Sequence, residues 1–295
     1  MKTQYDIVCL GHYTKDTIIS SSGTRYVNGG GFNYGSHVVA AMGLRVAAIT
    51  KLACEDRVVV DKLEDIGVDT YVTYTPKSTC VTLEYPSSNP DERVIYVHST
   101  AEPFTPQEVE NISAKAIVIS PSIRGEVPEE VIDTLMAKNM RIALDVQGFI
   151  RIQQDGKLIH ADWPEKKSVL AKVNVLKTDA VEAESLTGEK DIHKAAKMLA
   201  NMGPKEIVLT HRDGLLVYAD GSFFEAAFHP KELIGRSGRG DTCVSSYMAA
   251  RLEKSPKEAT IWAAAATSLK MEAEGPFRRD ISEVKELINL RYRGN

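Results

Sequence analysis

Six short apolar runs, "YDIVCL", "RVAAIT", "AKAIVIS", "MRIALD", "KVNVLK" and "KEIVLT", recur along the 295 residues, and all have the length of a β-strand. Between them lie "CEDRVVVDKLEDIG", "PEEVIDTLMAKN" and "EKDIHKAAKMLANMG", where apolar residues return at helical spacing. Near-continuous apolar strands need cover on both faces. The alternation therefore predicts a layered α/β domain, with helices on each side of one sheet.

Two stretches break this rhythm. "TIISSSGTRYVNGG" and "TYVTYTPKSTCVTLEYPSSNPDERVIYVHST" are rich in Thr, Val and Tyr, punctuated by Gly, Pro and Asn, and lack a helical repeat. They predict a small accessory β-sheet, made from segments 12–30 and 70–99, over one edge of a single domain spanning 1–295. At 43% hydrophobic, a chain of this length buries a substantial core without a second domain. Near the C-terminus, Pro256 suits the first turn of a new helix, and Gly275 with Pro276 stops the alanine-rich segment.

Charge and cysteine usage exclude several functions. The 36 Lys and Arg against 40 Asp and Glu leave a formal charge of −4, with no general attraction to nucleic acid or an anionic membrane. The opening "MKTQYDIVCLGHYTKD" has no secretory h-region, and "IWAAAATSL" stops well short of the roughly 20 residues of a membrane helix. Cys9, Cys54, Cys80 and Cys243 form no CxxC pair, so no zinc or dithiol signature is present. A cytoplasmic protein with reduced thiols is expected, without nucleic-acid or membrane partners.

The chemistry concentrates in "LIGRSGRGDTCVSSYMAARL", where glycines and arginines crowd before Asp241 and a helical pattern. Glycine lets backbone approach a ligand closely, and the unpaired N–H groups of a helix start receive phosphate oxygens. A carboxylate there can take the proton of an attacking hydroxyl while the helix end stabilises phosphate charge. An acid in a first helical turn also improves helix electrostatics with no catalytic role at all. The stretch is not a Walker A loop, because its glycines lead to Asp rather than to Lys and Ser or Thr. No G-x-G-x-x-G turn follows the first strand, which disfavours an oxidoreductase.

"GRSGRGD" resembles the D-T-x-G-A-G-D signature of the ribokinase-like, PfkB carbohydrate kinase family, with Gly235 in place of the leading acid and Arg239 in place of the alanine. The resemblance implies a ribokinase-like layered αβα fold with a β lid, Asp241 as catalytic base, and an anion hole built from Gly238, Arg239, Gly240 and Asp241. It extends to "NGGGFNYGSHVVAAMG", the glycine-rich N-terminal signature, and to "GHYTKD" after the first strand. Asp16, Gly29 and Gly30 are the implied substrate contacts, joined by Asn33, because Tyr34 occupies the position where the family often has Asn.

Asp145, Gln147 and Arg151 in "RIALDVQGFIRI" follow a buried-type strand and supply a carboxylate, an amide and a cation for a polyol or its phosphate, or else simply cap the loop. "LKTDAVEAESLTG" resembles the family's N-x-x-E region, implying water-mediated Mg2+ contacts from Asp179 and Glu182; the same carboxylates suit a helix first turn. "EIVLTHRDGLLVY" matches the strand and turn of the nucleotide site, placing Thr210 and Gly214 near it, with Arg236, Arg239 and Arg278 as further phosphate or nucleotide contacts.

"DVQGFIR", "GRSGRGDTC" and "TSLKMEAEGPFRR" are similar to the branch of the family associated with myo-inositol kinases. The implied activity is ATP-dependent phosphorylation of a hydroxyl on a small cyclic polyol or sugar, with myo-inositol first, ATP as donor and Mg2+ as its ion. Nucleoside, pentose and hexose kinases are the alternatives within the family. A catalytically silent, nucleotide-responsive binding protein is the alternative outside it. A homodimer formed through the lid is a further implication of the resemblance.

Overall fold

A computed structural model of the chain describes residues 4–21, 23–86 and 93–292. Its strands are β1 (Tyr5–Leu10), β2 (Thr14–Ser20), β3 (Gly23–Gly29), β4 (Val46–Leu52), β5 (Asp69–Tyr74), β6 (Thr79–Glu84), β7 (Val94–Ser99) and β8 (Ala114–Ile119). They continue as β9 (Arg141–Asp145), β10 (Arg151–Gln154), β11 (Lys157–His160), β12 (Val175–Asp179), β13 (Glu206–Thr210), β14 (Gly214–Ala219) and β15 (Ser222–Ala227). The helices are α1 (Gly31–Ala41), α2 (Val58–Glu64), α3 (Glu129–Met136), α4 (Gln147–Ile150), α5 (Lys166–Leu170), α6 (Ala180–Thr187), α7 (Ile192–Ala200), α8 (Arg239–Ala250), α9 (Pro256–Met271) and α10 (Ile281–Arg291).

The large sheet runs β15-β14-β13-β12-β9-β8-β1-β4-β5. Its pairings are parallel from β5 across to β13, and antiparallel through β14 and β15. All six apolar runs of the sequence lie in its parallel part. Alternate residues enter opposite cores: Ile7 and Cys9 face one side, Val8 and Leu10 the other. Ala116 and Val118 divide from Ile117 and Ile119 in the same way. Period-two alternation with both faces apolar explains why these strands read as continuous hydrophobic runs.

Helices α1, α2, α8, α9 and α10 cover the first core, and α3, α5, α6 and α7 the second. A capping box between Ser255 and Glu258, with Pro256 at the first turn, starts α9. Among the described residues no helix is long and apolar enough to cross a membrane.

The smaller sheet runs β10-β11-β7-β6-β2-β3, and its one apolar face is built on Ile18, Val81, Leu83 and Val97. Residues 70–74, grouped with this sheet by composition, instead form β5 at the edge of the large sheet, paired with β4. The hairpin β10–β11 takes the opposite edge of the small sheet through β7. Residues 22 and 87–92, within the segments expected to build the small sheet, lie outside the described residues.

The parallel topology brings the carboxyl ends of the strands to one rim. There β1 leads into Gly11 and His12, β8 into Ser120, while β9 ends in Asp145, β12 in Asp179 and β13 in Thr210. Open α/β sheets bind ligands at this rim, because the loops leaving the strands diverge and open a crevice.

Candidate active site

Asp241 stands in the first turn of α8, whose cap, Gly238, has a left-handed backbone with φ of 75°. A Cβ on Gly238 would lie 2.1 Å from Cδ1 of Tyr34, so glycine is needed for both conformation and space. The turn closes through the Thr242 N–H, which donates to the Gly238 carbonyl at 3.0 Å. The Arg239 N–H donates to the Arg236 carbonyl at 3.2 Å; the N–H groups of a helix start otherwise have no carbonyl four residues back, which is the chemical basis of an anion hole.

The N-terminal glycines, leading into α1, meet this acid directly. A Cβ on Gly31 would lie 2.6 Å from Asp241 Oδ1 and 2.2 Å from Ser120 Cβ. A Cβ on Gly29 would lie 2.5 Å from Asp16 Oδ2, and Gly30, with φ of 98°, passes the His12 carbonyl equally tightly. Residues 29–31 thus thread between Asp16 of the small sheet and Asp241 of the large domain. No side chain fits at any of the three positions without displacing a neighbour.

Around this thread lie buried polar atoms without a hydrogen-bond partner: Asp16 Oδ1, Asn33 Oδ1, Tyr34 OH and Ser120 Oγ. Asn33 spends its amide on the Asn28 carbonyl at 3.0 Å. Buried orphaned polar groups each cost about 1–3 kcal/mol and are rare in native proteins, so several converging on one cleft mark a place for a polar ligand.

Burial pushes the Asp16 carboxyl up to about 7, with the Asp241 charge adding to the rise and the Thr14 hydroxyl opposing it. Burial also raises Asp241, against the lowering pull of Lys177 and then Arg151. Half-buried at the cleft, Asp241 is a carboxyl in hydrogen-bonding reach of a ligand at the helix start, the position a general base must occupy.

On the opposite side of the anion hole, buried cations are paired with carboxylates. Lys177, third residue of β12, is buried, and its Nζ sits 3.1 Å from Asp145 Oδ2 and 3.8 Å from Glu182 Oε2. A Cβ on Gly240 would come within 2.7 Å of that Nζ, so the ammonium lies directly behind the anion-hole backbone. Arg151, first residue of β10, points its guanidinium to within 3.6 Å of Glu182 Oε1. Arg93, entering β7, adds a charge that acts on Asp16 and Arg151. Sequence reading passed over Lys177; its signal was a lysine closing a buried apolar run, where an unpaired charge would be prohibitive.

The other residues singled out in the sequence fall in several places. Asp145 is engaged by Lys177 and by the Gln147 backbone N–H, which donates to Oδ1 at 3.0 Å. Asp179 and Glu182 form the reciprocal capping box of α6, each carboxylate accepting the other's N–H at 2.8 Å. Thr210 is buried, with its hydroxyl 3.4 Å from the Thr178 carbonyl. Gly214 lines a separate cavity of about 650 Å3 with His211, Phe223 and Tyr292. Arg236 and Arg239 are half-buried beside the anion hole, while Arg278 is exposed beyond α9.

Comparison with known proteins gives this arrangement its context. The model of the pfkB family carbohydrate kinases matches residues 2–278. The chain belongs to the PfkB family. A solved sulfate complex of a pyrophosphate-dependent kinase in the ribokinase family is 35% identical, with a TM-score of 0.89, over 95% of this chain and 99% of that one. A pyrophosphate-dependent kinase of the ribokinase family solved with a pyrophosphate analog and myo-inositol is 34% identical, with a TM-score of 0.88, over 95% and 99%. A cytidine kinase of Thermococcus kodakarensis is 27% identical over 264 residues, 86% of this chain and 91% of its own length. The ribokinase-like α/β fold with its large mixed sheet and smaller accessory sheet follows.

These likenesses overturn ATP as the expected donor, and with it the nucleotide-binding role and the ATP–Mg2+ pair given to the PfkB fold here: the solved relatives depend on pyrophosphate. The physical reason is that a glycine-flanked helix start recognises a terminal phosphoryl group, and pyrophosphate presents the same oxygens as a nucleotide does. What lies beyond the second phosphorus is read by residues outside the motif. The residues expected to make water-mediated Mg2+ contacts form the Asp179–Glu182 capping box, which uses one oxygen of each carboxylate, and Glu182 also faces Lys177 and Arg151.

Proposed function

We propose that the protein transfers a phosphoryl group from pyrophosphate to a hydroxyl of myo-inositol or a closely similar cyclitol, in the cytoplasm. The observation that carries this reading is the position of Gly240 and Asp241 between two groups of side chains of different chemistry. On one side are orphaned hydrogen-bonding atoms suited to a ring of hydroxyls. On the other are Lys177 and Arg151, buried cations suited to a small polyanion. The pyrophosphate-dependent kinase that holds myo-inositol supports both halves, and four free cysteines suit a reducing compartment.

In this reading Asp16 accepts hydrogen bonds from ring hydroxyls and orients the acceptor. Asp241 takes the proton of the attacking hydroxyl as its oxygen bonds to the nearer phosphorus. The bridging P–O bond breaks, and orthophosphate leaves with the electron pair. Helix α8 receives charge on the transferred phosphoryl oxygens, while Lys177 and Arg151 neutralise the departing phosphate. Phosphoryl transfer depends on such positioning and charge compensation more than on covalent chemistry. Closure of the small sheet over residues 29–31 excludes water from the acceptor pocket, limiting transfer to water.

The test is a donor-by-acceptor matrix: pyrophosphate and ATP crossed with myo-inositol, ribose and cytidine, with product mapping by phosphorus NMR. A phosphorylated cyclitol formed from pyrophosphate supports the proposal. Exclusive turnover of cytidine, favoured by the likeness to the cytidine kinase, rejects the acceptor, and turnover with ATP alone rejects the donor.

A further inference from the structure

The loop that carries the anion hole is gripped from behind by a buried cation. Ile234 and Gly235 donate their N–H groups to the Met271 carbonyl, at 2.9 and 3.0 Å, at the end of α9. In return Lys270 donates from Nζ to the Gly235 carbonyl at 2.9 Å and to the Ser237 carbonyl. Gly235 is pressed so closely on this helix end that a Cβ there would lie 2.2 Å from the Ala273 carbonyl. The ammonium also lies 5.3 Å from the centroid of the Tyr34 ring, whose face packs against Gly238. One cation therefore touches both the loop and the aromatic plate beneath it.

We infer that Lys270 is a positioning residue for phosphoryl transfer: a tethered cation that holds the peptide groups of loop 235–238 with their N–H ends turned toward the anion hole. This rests on the reading of that loop and Asp241 as the transfer site. A peptide's C=O and N–H point in opposite directions. A cation on the Gly235 and Ser237 carbonyls therefore orients and polarises the N–H groups of Arg236 and Gly238 on the far side.

Burying an ammonium is costly unless its donors are used. At 2% exposure Lys270 uses two on carbonyls and presents its charge to Tyr34, an arrangement with no purpose for surface solubility. Burial lowers its pKa to about 8, against the raising influence of Glu274 and then Asp241, so the charge is present at neutral pH. No side-chain partner in this set is a reacting atom, which separates Lys270 from Asp241 and Lys177.

The experiment compares Lys270→Ala, which leaves a hole, with Lys270→Met, which fills it without charge. Both variants are expected to lose kcat by about 100-fold, the scale of a lost oxyanion-stabilising donor, with KM for myo-inositol changed less than about twofold. Methylammonium should restore a large part of kcat to Lys270→Ala and none to Lys270→Met.

Independently of turnover, methylammonium should raise the melting temperature of Lys270→Ala, and not that of the wild type or Lys270→Met, relative to tetramethylammonium at equal ionic strength. Wild-type rates in Lys270→Met, or methylammonium acting on both variants or on neither, overturn the inference. If the wild type turns over no pyrophosphate or cyclitol, the functional proposal fails, and the melting comparison still decides whether the loop requires this cation.

Discussion

The two flanks of Asp241 are built on different principles. On the acceptor flank, residues 12–34 and Ser120 leave Asp16 Oδ1, Asn33 Oδ1, Tyr34 OH and Ser120 Oγ without partners. On the donor flank, Lys177 is ringed by Asp145 and Glu182, and Arg151 closes on Glu182 from the hairpin β10–β11. One side holds several buried polar atoms with no partner; on the other the buried charges are paired, with Glu182 Oε1 alone lacking a hydrogen bond and facing Arg151 at 3.6 Å. A preformed cation network suits a small, highly charged donor, because the charges need no reorganisation when phosphate enters. Open hydrogen-bonding capacity suits an uncharged polyol, whose recognition is the completion of bonds that the protein alone leaves unmade.

The contrast is broken most severely at the point shared by both flanks. Asp241→Asn should lower kcat by about 10³-fold or more, the upper part of the range for losing a general base. Circular dichroism should remain that of the wild type. Full turnover in a folded variant would remove Asp241 from the mechanism.

Next in size is the donor flank. Lys177→Met leaves Asp145 buried without its cation and Glu182 with Arg151 alone, and should cost about 3–5 kcal/mol in urea unfolding together with a large rise in KM for pyrophosphate. Unchanged stability would mean that the network is not balanced by this ammonium.

The acceptor flank should respond more mildly, and only toward the polyol. Asp16→Asn is expected to reduce kcat/KM for myo-inositol by roughly 10–100-fold, the worth of charge-assisted hydrogen bonds, leaving KM for pyrophosphate near wild type. The wild-type KM for the acceptor should fall as pH rises through about 7, as Asp16 ionises.

The same shift has a stability signature of opposite sense. The native state keeps this proton up to about 7, whereas the unfolded chain releases it near 3.8. Asp16 alone therefore makes stability decline as pH rises between those values. Asp16→Asn removes that slope, and a variant that retains it in pH-dependent denaturation would refute the assignment.

The smallest effect is expected outside both flanks. Arg278 is exposed beyond α9, so Arg278→Ala should leave KM for pyrophosphate within about twofold, as for ordinary surface substitutions. A tenfold rise would extend the donor flank to the C-terminal segment.

Much of this is legible in the amino-acid sequence. The apolar runs place the parallel strands because two-sided burial forces near-continuous hydrophobicity. Gly29, Gly30, Gly238 and Asp241 are readable because close backbone approach and helix-start chemistry demand particular residue types. Lys177 left one local signal, a lysine closing an apolar strand run, whereas Lys270 closes an alanine-rich helix and nothing local says that its ammonium is buried. Arg151 was visible as a residue but not as part of the small sheet's edge. ATP was misread as donor for a related reason, since the motif sees only the terminal phosphoryl group.

By itself the sequence determined the layered α/β architecture and the helix start bearing Asp241, which follow from local periodicity and helix-start chemistry, while Gly29 and Gly30 came from the family resemblance. Only the tertiary structure decided that Lys177 backs Gly240, that Lys270 grips the Gly235 and Ser237 carbonyls, and that Asp179 and Glu182 serve a cap. Those facts depend on which charges meet after strands and helices distant in sequence pack together. The cost of an unpaired buried charge is set by that meeting, not by any neighbour along the chain.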